Sequence, residues 1–160
     1  MRARAAAYWQ QQRKLGFGRP RRGLQSIMTN DMFQDLARHY TAAWCSHDPL
    51  SVASFFAEDG SLAVNDQAPA VGRSAIADIA RGFYEAFPDT VVVMDLARLA
   101  GDRAVYMWTY EGTNTGAGGT GHAVRFNGWE QWVLDDDGLI AVSDGRFDTA
   151  EYERQLAHGI

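Results

Sequence analysis

The sequence predicts an α+β domain in which N-terminal helices pack on one face of a curved antiparallel sheet. Two observations support this fold class. Apolar residues recur at helical spacing through much of residues 29–88, and alternating strand patterns dominate residues 90–148. Helices that precede a long run of strands are typical of α+β proteins. At 160 residues, the chain is long enough for one domain with its own core.

Three helices are predicted in the first half of the domain. The first covers residues 29–44, where the apolar residues at helical spacing are Met32, Phe33, Leu36, Tyr40 and Trp44. A second helix is expected over residues 46–59, with Asp48 as its cap, a proline in its first position and Gly60 at its end. The third helix begins at residue 72 and closes before a proline at residue 88.

The strands follow as short alternating runs. A short strand is predicted over residues 61–66. Four longer ones are predicted over residues 90–100, 102–112, 122–134 and 138–148. Between these strands, Gly101-Asp102 and residues 135–138 have the composition of hairpin turns. Residues 149–160 are predicted to form a final helical turn.

Charge is distributed unevenly along the chain. Residues 1–27 contain seven basic residues and no acidic one, whereas residues 28–160 contain 8 basic and 20 acidic residues, a formal net charge of −12. We interpret residues 1–27 as an extension outside the fold and residues 28–160 as the domain. So acidic a domain repels phosphate backbones, and we expect no nucleic-acid partner.

Membrane-spanning and secretory segments are not evident in the sequence, and the alternative to an inert extension is that the basic residues 1–27 contact nucleic acid or a membrane, or resemble an organellar transit peptide. No run approaches the roughly 20 apolar residues of a membrane helix, and the N-terminus lacks the pattern of a secretory signal. We therefore expect a cytoplasmic protein without a membrane partner. The four histidines and one cysteine show no metal-binding spacing, so we expect no metal and no cofactor.

A carboxylate occupies an unexpected position in the strand that follows a glycine-rich loop. If residues 122–134 form a strand, one face carries Val124, Phe126, Gly128, Glu130 and Trp132. Burial among apolar side chains would raise the pKa of Glu130, as a general acid/base requires, and Gly128 would leave space beside it. The alternative is that Glu130 forms a surface ion pair with Arg125 or Arg146.

Several strings of the sequence resemble one known family. They are AAWCSHDPLSVASFFAEDG, GRSAI, AFPDT, WTYEGTNTG and DGLIAVSDGRFD. Together they resemble the SnoaL-like polyketide cyclases of the NTF2-like superfamily, over about residues 31–156. The resemblance implies a cone-shaped fold with one apolar pocket, and a homodimer. This superfamily contains isomerases, dehydratases, hydrolases, cyclases and non-catalytic binding proteins, so the fold alone does not define the activity.

The resemblance also implies roles for individual residues. Glu130 matches the pocket acid of ketosteroid isomerases, and Tyr40 resembles their pocket tyrosine. Trp108 and Tyr110 would face the pocket, and Tyr106 joins them by strand alternation. Further pocket residues would be Asn114, Phe126 and Trp132, and His122 is a catalytic candidate beside the glycine loop at the rim.

The last predicted strand departs from the pattern of the family. Many relatives carry a proton-transferring aspartate in a string like HWDVFD, whereas here the string is SDGRFD and Gly145 stands at that position. Asp144, Arg146 and Asp148 alternate onto the opposite face. Asp148 is therefore expected to anchor the C-terminal turn rather than to act in catalysis.

Two classes of function remain open from the sequence. The first is a cofactor-independent enzyme of the cyclase, isomerase or lyase type, acting by proton transfer on a small hydrophobic carbonyl or aromatic compound. The second is a non-catalytic protein that binds such a compound. A polar partner for Glu130 on the opposite wall, such as Tyr40 or Asn114, would favour the first class. The outward face with Asn127, Trp129, Gln131 and Val133 is the predicted dimer interface.

Overall fold

The computed structural model describes residues 28–160, and the predicted extension of residues 1–27 lies outside this part of the chain. The described residues form four helices and one six-stranded sheet. This arrangement confirms the predicted α+β class with helices first. Within residues 28–160, no helix has both the length and the hydropathy that crossing a membrane requires.

The four helices are α1 (Asn30–Cys45), α2 (Pro49–Ala53), α3 (Arg73–Ala86) and α4 (Thr149–His158). Side chains cap the first turn of all except α3, which follows Gly72. The side chain of Thr29 accepts a hydrogen bond from the Met32 backbone N–H, and Asp48 does the same for Leu50. Asp148 caps α4 by accepting from the Glu151 N–H, which gives it the expected anchoring contact.

The strands form one sheet with a parallel pair inside it. They are β1 (Phe56–Val64), β2 (Ala70–Val71), β3 (Val91–Ala100), β4 (Arg103–Thr113), β5 (Ala123–Leu134) and β6 (Ile140–Phe147). Their order is β2-β1-β6-β5-β4-β3. Strands β3 to β6 form the predicted antiparallel meander, but β1 pairs with β6 in parallel, which the sequence analysis did not anticipate.

The predicted second helix is wrong beyond Ala53. Helix α2 stops there, and the chain continues as β1 from Phe56. Gly60 lies inside β1 rather than ending a helix: a Cβ at this position would lie 2.8 Å from the Ile140 carbonyl oxygen, so glycine permits the close approach of β6. A short apolar run such as Phe55-Phe56 suits a helix and a strand equally, and pairing with β6 selects the strand.

The core lies between the inner face of the sheet and helices α1 and α3. Phe33 and Tyr40 of α1 and Ile76 of α3 are fully buried. Along β5, every second residue from Val124 to Leu134 is buried, as the alternation predicted. Glu130 is therefore on the inner face, among the core side chains.

Helix α4 completes the edge of β5 where β6 ends. Strand β6 pairs with β5 only as far as Phe147, opposite Gly128. Beyond this point the buried side chain of Gln155 takes its place. The Arg125 N–H donates to Gln155 Oε1 at 2.6 Å, and Gln155 Nε2 donates to the Arg125 carbonyl at 2.9 Å. One side chain thus makes the two bonds that a neighbouring strand would make.

Candidate active site

Glu130 lies at the centre of the inner face of the sheet. Its register partners are Tyr106 on β4 and Gly145 on β6. The Glu130 side chain is buried, with 6% of the residue exposed. Gly145 lets β1 and the Glu130 side chain lie close to β6: a Cβ at position 145 would lie 3.2 Å from the Ala63 carbonyl oxygen and 3.5 Å from Glu130 Cγ.

The two carboxyl oxygens of Glu130 have different surroundings. Oε2 accepts hydrogen bonds from Trp132 Nε1 at 2.8 Å, from Ser143 Oγ at 2.7 Å and from the Tyr40 hydroxyl at 3.1 Å. Oε1 has only a long contact of 3.4 Å with the Tyr40 hydroxyl. The carboxyl is therefore held in place through Oε2, and Oε1 is the oxygen left for other chemistry.

Ser143 is a member of the site that the sequence analysis missed. It lies on β6, is buried with 1% exposure, and donates to the same oxygen as Trp132. Its alternation with Gly145 along β6 is a signal that could have identified it, because both residues then share the inner face. Tyr40 is a polar partner of Glu130, but it does not line the cavity, so it is not the partner on the opposite wall that the sequence analysis named as the distinguishing feature.

The electrostatic environment favours the protonated form of Glu130. Burial raises the pKa of the Glu130 carboxyl above its usual value, against the opposing effect of the hydrogen bonds from Trp132, Ser143 and Tyr40. Burial, reinforced by the proximity of Glu130, also raises the pKa of Tyr40, whose phenol therefore stays protonated.

The predicted alternative of an ion pair between Glu130 and a surface arginine is wrong. Arg125 pairs with Glu111 at 2.8 Å. Arg146 pairs with Asp66 at 2.7 Å and with Asp144 at 3.0 Å. Glu130 is thus buried without either of the arginines that were considered as its partners.

A narrow cavity of about 50 Å³ adjoins Glu130. Its wall contains seven aromatic residues: Trp44, Phe83, Tyr106, Trp108, Tyr110, Phe126 and Phe147. Aliphatic side chains, Glu130 and Gly145 complete the lining, which includes no lysine, arginine or histidine. The volume is well below the roughly 300–1,000 Å³ of drug-sized sites, so the cavity as it stands has space for only a few non-hydrogen atoms.

Part of the cavity lining is half-buried. The half-buried lining residues are Ile79 and Phe83 on α3, Val64 on β1, Trp108 on β4 and Phe147 on β6. Other lining residues, including Tyr106 and Tyr110, are buried.

Both tyrosine hydroxyls in the cavity wall are engaged with threonines. The Tyr106 hydroxyl lies 2.6 Å from Thr41 Oγ1, and that of Tyr110 lies 2.7 Å from Thr90 Oγ1. Thr41 and Thr90 themselves donate to backbone carbonyls, so the tyrosines must donate to the threonines. Burial raises the pKa of each phenol, which keeps both in the neutral form.

The predicted site residues fall into two groups in the structure. Trp108, Tyr110 and Phe126 line the cavity together with Glu130. Trp132 and Tyr40 stand behind the carboxylate instead of in the cavity wall, with their rings in edge contact at 5.0 Å. The sequence could not separate these two positions, since all six side chains face the interior.

Two other candidates lie outside the lining of the cavity. Asn114 donates from Nδ2 to the Ala86 carbonyl and accepts from the Thr120 N–H, so it holds the glycine loop together. His122 Nδ1 lies 2.8 Å from the Leu156 carbonyl on α4. The structure thus places both residues in contacts that organise the rim, away from the carboxyl of Glu130.

The expected role of Gly128 is wrong in its detail. Gly128 makes room for Trp108 rather than for a ligand: a Cβ at position 128 would lie 2.5 Å from the indole ring of Trp108 and 2.5 Å from the Arg146 carbonyl oxygen. The reason is the register, which pairs Gly128 with Trp108 across β4 and β5.

Replacing Gly128 with alanine is expected to destabilise the domain by about 1–3 kcal/mol, the usual effect of overpacking, because a backbone atom and a packed indole must both move. Urea unfolding measures the change. Gly82→Ala is the matched control, since nothing lies within 4 Å of a Cβ at that helical position. It should be neutral or stabilising. Equal effects of the two substitutions would contradict the close packing of Trp108 on Gly128.

The family of the chain follows from comparison with known proteins. Residues 34–156 match the family model of the SnoaL-like polyketide cyclases. The chain belongs to this family. No curated protein sequence matches it. The family match covers the elements that build the cavity, from α1 to α4.

Solved structures with the same fold come from several bacteria. A protein with a ketosteroid isomerase-like fold from Catenulispora acidiphila, in complex with trimethylamine, is 18% identical with a TM-score of 0.69, covering 77% of this chain and 92% of that one. A SnoaL-like protein from Jannaschia sp. CCS1 is 13% identical with a TM-score of 0.70, covering 89% and 100%. A phenazine biosynthesis-related protein from Pseudomonas aeruginosa is 16% identical with a TM-score of 0.65, covering 85% and 90%. At these identities the similarity shows the shared fold alone.

Proposed function

We propose that the protein is a cofactor-independent enzyme that moves a proton within a small hydrophobic carbonyl or aromatic compound, with Glu130 as the acid/base. The observation that carries this proposal is the asymmetry of the Glu130 carboxyl. Three donors hold Oε2, whereas Oε1 has only one long contact and belongs to a side chain that lines the cavity. Burial raises the pKa of this carboxyl, which makes it a better proton acceptor than an exposed glutamate and lets it return the proton afterwards.

The proposed step is a proton transfer that begins and ends at Oε1. The carboxylate removes a proton from the carbon next to a carbonyl group, and the electron pair of the broken C–H bond moves towards the carbonyl oxygen. The carboxylic acid then returns the proton to another atom of the same compound. Trp132, Ser143 and Tyr40 hold Oε2 throughout, which leaves the less engaged Oε1 to exchange the proton.

Hydrogen exchange in heavy water tests this function without knowledge of the natural substrate. A panel of small ketones is incubated with the protein in D₂O, and NMR follows deuterium uptake at the carbons next to the carbonyl. We expect protein-dependent exchange for at least one compound, and a rate about 100-fold lower with Glu130→Gln.

Two other outcomes of this experiment have clear meanings. Equal exchange rates in the wild type and the variant would exclude Glu130 as the base. Binding of the ketones without any exchange would support the alternative function, a non-catalytic protein that binds small hydrophobic compounds. The narrow cavity serves either function, and the free Oε1 favours the enzyme.

We also propose that the protein is a homodimer through the outer face of its sheet. Leu96 on β3, Met107 on β4 and Trp129 on β5 lie side by side in register. Leu96 is 37% exposed and Met107 is 39% exposed. Trp129, on the strand next to β6, is half-buried. An apolar patch with an aromatic residue is typical of an interface core.

Multi-angle light scattering at micromolar concentration is expected to give about twice the mass of one chain. Trp129→Lys should give monomers with unchanged far-ultraviolet circular dichroism, because the substitution places a charge in the proposed interface and leaves the core intact. A wild-type protein that is monomeric at this concentration would refute the dimer.

A further inference from the structure

The indole N–H of Trp108 is a buried donor without an acceptor. Among residues 28–160, it is the one buried side-chain nitrogen or oxygen with no hydrogen-bond partner. The neighbouring donors, in contrast, all have acceptors: Tyr106 and Tyr110 donate to threonines, and the Trp132 N–H donates to Glu130. A buried donor that lacks an acceptor is costly, so such groups commonly mark a place where something else binds.

The position of this indole is fixed by its surroundings. Trp108 lines the cavity, and its ring fills the space that a side chain at position 128 would occupy. Phe126 and Phe147 contact the same ring edge to face, with centroids 5.9 Å and 6.3 Å away. The N–H is thus part of a rigid wall rather than of a freely rotating surface residue.

Trp108 and Glu130 lie close enough to act on one small molecule. Trp108 is the register partner of Gly128, and Glu130 follows two residues later on β5. Such diagonal neighbours on one face are separated by roughly 7–8 Å between backbone positions. A compound of about three or four carbons, which suits a cavity of about 50 Å³, can therefore place an oxygen near the indole and an adjacent carbon near Oε1.

We propose that the Trp108 N–H binds the carbonyl oxygen of a neutral ligand and directs the neighbouring carbon towards Glu130. This inference rests on the proposed function and names its binding determinant. The lining has no lysine, arginine or histidine to compensate an anionic ligand, so a neutral carbonyl compound is the acceptor that suits this wall. Trp108 would also polarise the carbonyl as electrons move towards its oxygen during proton removal.

The first test is an NMR titration of the unmodified protein with two probes of nearly equal shape. Acetone carries a carbonyl group, and isobutene carries a C=CH₂ group in its place. We expect the Trp108 indole N–H signal, assigned by its loss in Trp108→Phe, to move downfield with acetone only. The Trp129 indole signal, from the outer face of the sheet, is the internal reference. Equal shifts with both probes would overturn the hydrogen bond.

The second test removes the N–H and keeps the shape of the ring. Site-specific replacement of Trp108 by β-(3-benzothienyl)alanine substitutes sulfur for the indole nitrogen. The ratio of acetone to isobutene affinity is expected to fall roughly two- to tenfold, the value of one hydrogen bond, and ligand desolvation cancels in the comparison. An unchanged ratio would overturn the proposal, and so would failure of both probes to bind at millimolar concentration.

These binding experiments separate this proposal from the proposed function. Neither of them measures turnover. If the affinity ratio is unchanged while Glu130→Gln still lowers the rate of hydrogen exchange, Glu130 is supported as the base and the hydrogen bond from Trp108 is refuted. If the affinity ratio decreases as expected but no ketone exchanges its hydrogens, the hydrogen bond from Trp108 is supported and the catalytic role of Glu130 is refuted.

Discussion

Glu130→Gln is expected to lower proton-transfer activity about 100-fold and to leave the domain equally or more stable at neutral pH. The glutamine oxygen can accept the three hydrogen bonds that Oε2 now accepts, and the amide nitrogen takes the position of Oε1. The variant therefore resembles the protonated side chain but cannot transfer a proton. Urea unfolding and the exchange assay measure the two effects.

The pH dependence of this stability difference has a defined sign. The pKa of Glu130 in the folded protein is raised above the ordinary value of 4.5. At a pH below 4.5 the carboxyl is protonated in both states, and the folded protein carries no penalty. As the pH rises, the unfolded chain ionises first, so the wild type loses about 1.4 kcal/mol of stability per pH unit until the folded-state pKa is reached.

The stability gain of Glu130→Gln should therefore increase with pH from about 4.5 upwards. Glu111→Gln is the matched control, because Glu111 is a partly exposed carboxylate paired with Arg125 at the surface. Its effect on stability should stay within about 0.5 kcal/mol. A Glu130→Gln variant that is less stable than the wild type at pH 7, and increasingly so with pH, would show that the ionised carboxylate stabilises the fold.

Trp132→Ala is expected to destabilise the domain by about 3–5 kcal/mol. Trp132 is 1% exposed and stacks on Tyr106, with ring centroids 5.0 Å apart. Its ring also contacts Phe33 and Tyr40 on α1, so it joins that helix to the sheet. The substitution removes this ring and one of the donors to Glu130.

Urea unfolding monitored by circular dichroism measures this loss. Gln131→Ala, the exposed neighbour on the same strand, should change the free energy of unfolding by no more than about 0.5 kcal/mol. A loss below about 1 kcal/mol for Trp132→Ala would mean that the contact between α1 and the sheet does not depend on this residue.

Local patterns were sufficient to predict most of the fold. Strand β5 could be predicted because its buried residues alternate without a break, and α1 because its cap and its apolar spacing agree. The secondary structure from Phe55 to Gly60 could not be predicted, because its apolar pattern suits both a helix and a strand. The parallel pairing of β1 with β6 selects the strand. That pairing joins residues far apart in the chain, which local patterns do not encode.

The site was predictable only as far as it lies on one strand. Glu130 was found because a carboxylate interrupts an apolar face. Ser143 was missed and Gly128 misinterpreted because their neighbours depend on the register between strands. Side-chain packing places Tyr40 and Trp132 behind Glu130 instead of in the cavity wall. The alternation of residues along a strand does not specify such packing.

The bonds between Gln155 and Arg125 have a consequence for solubility. An uncovered strand edge is a template on which another chain can add a strand, and such edges lead to aggregation. Here a single amide at the C-terminal end of the domain occupies the backbone groups of Arg125 that would otherwise be available. Helix α4 therefore blocks the addition of another strand at this part of β5. Proteolytic removal of α4 is expected to expose the Arg125 backbone groups and to promote aggregation.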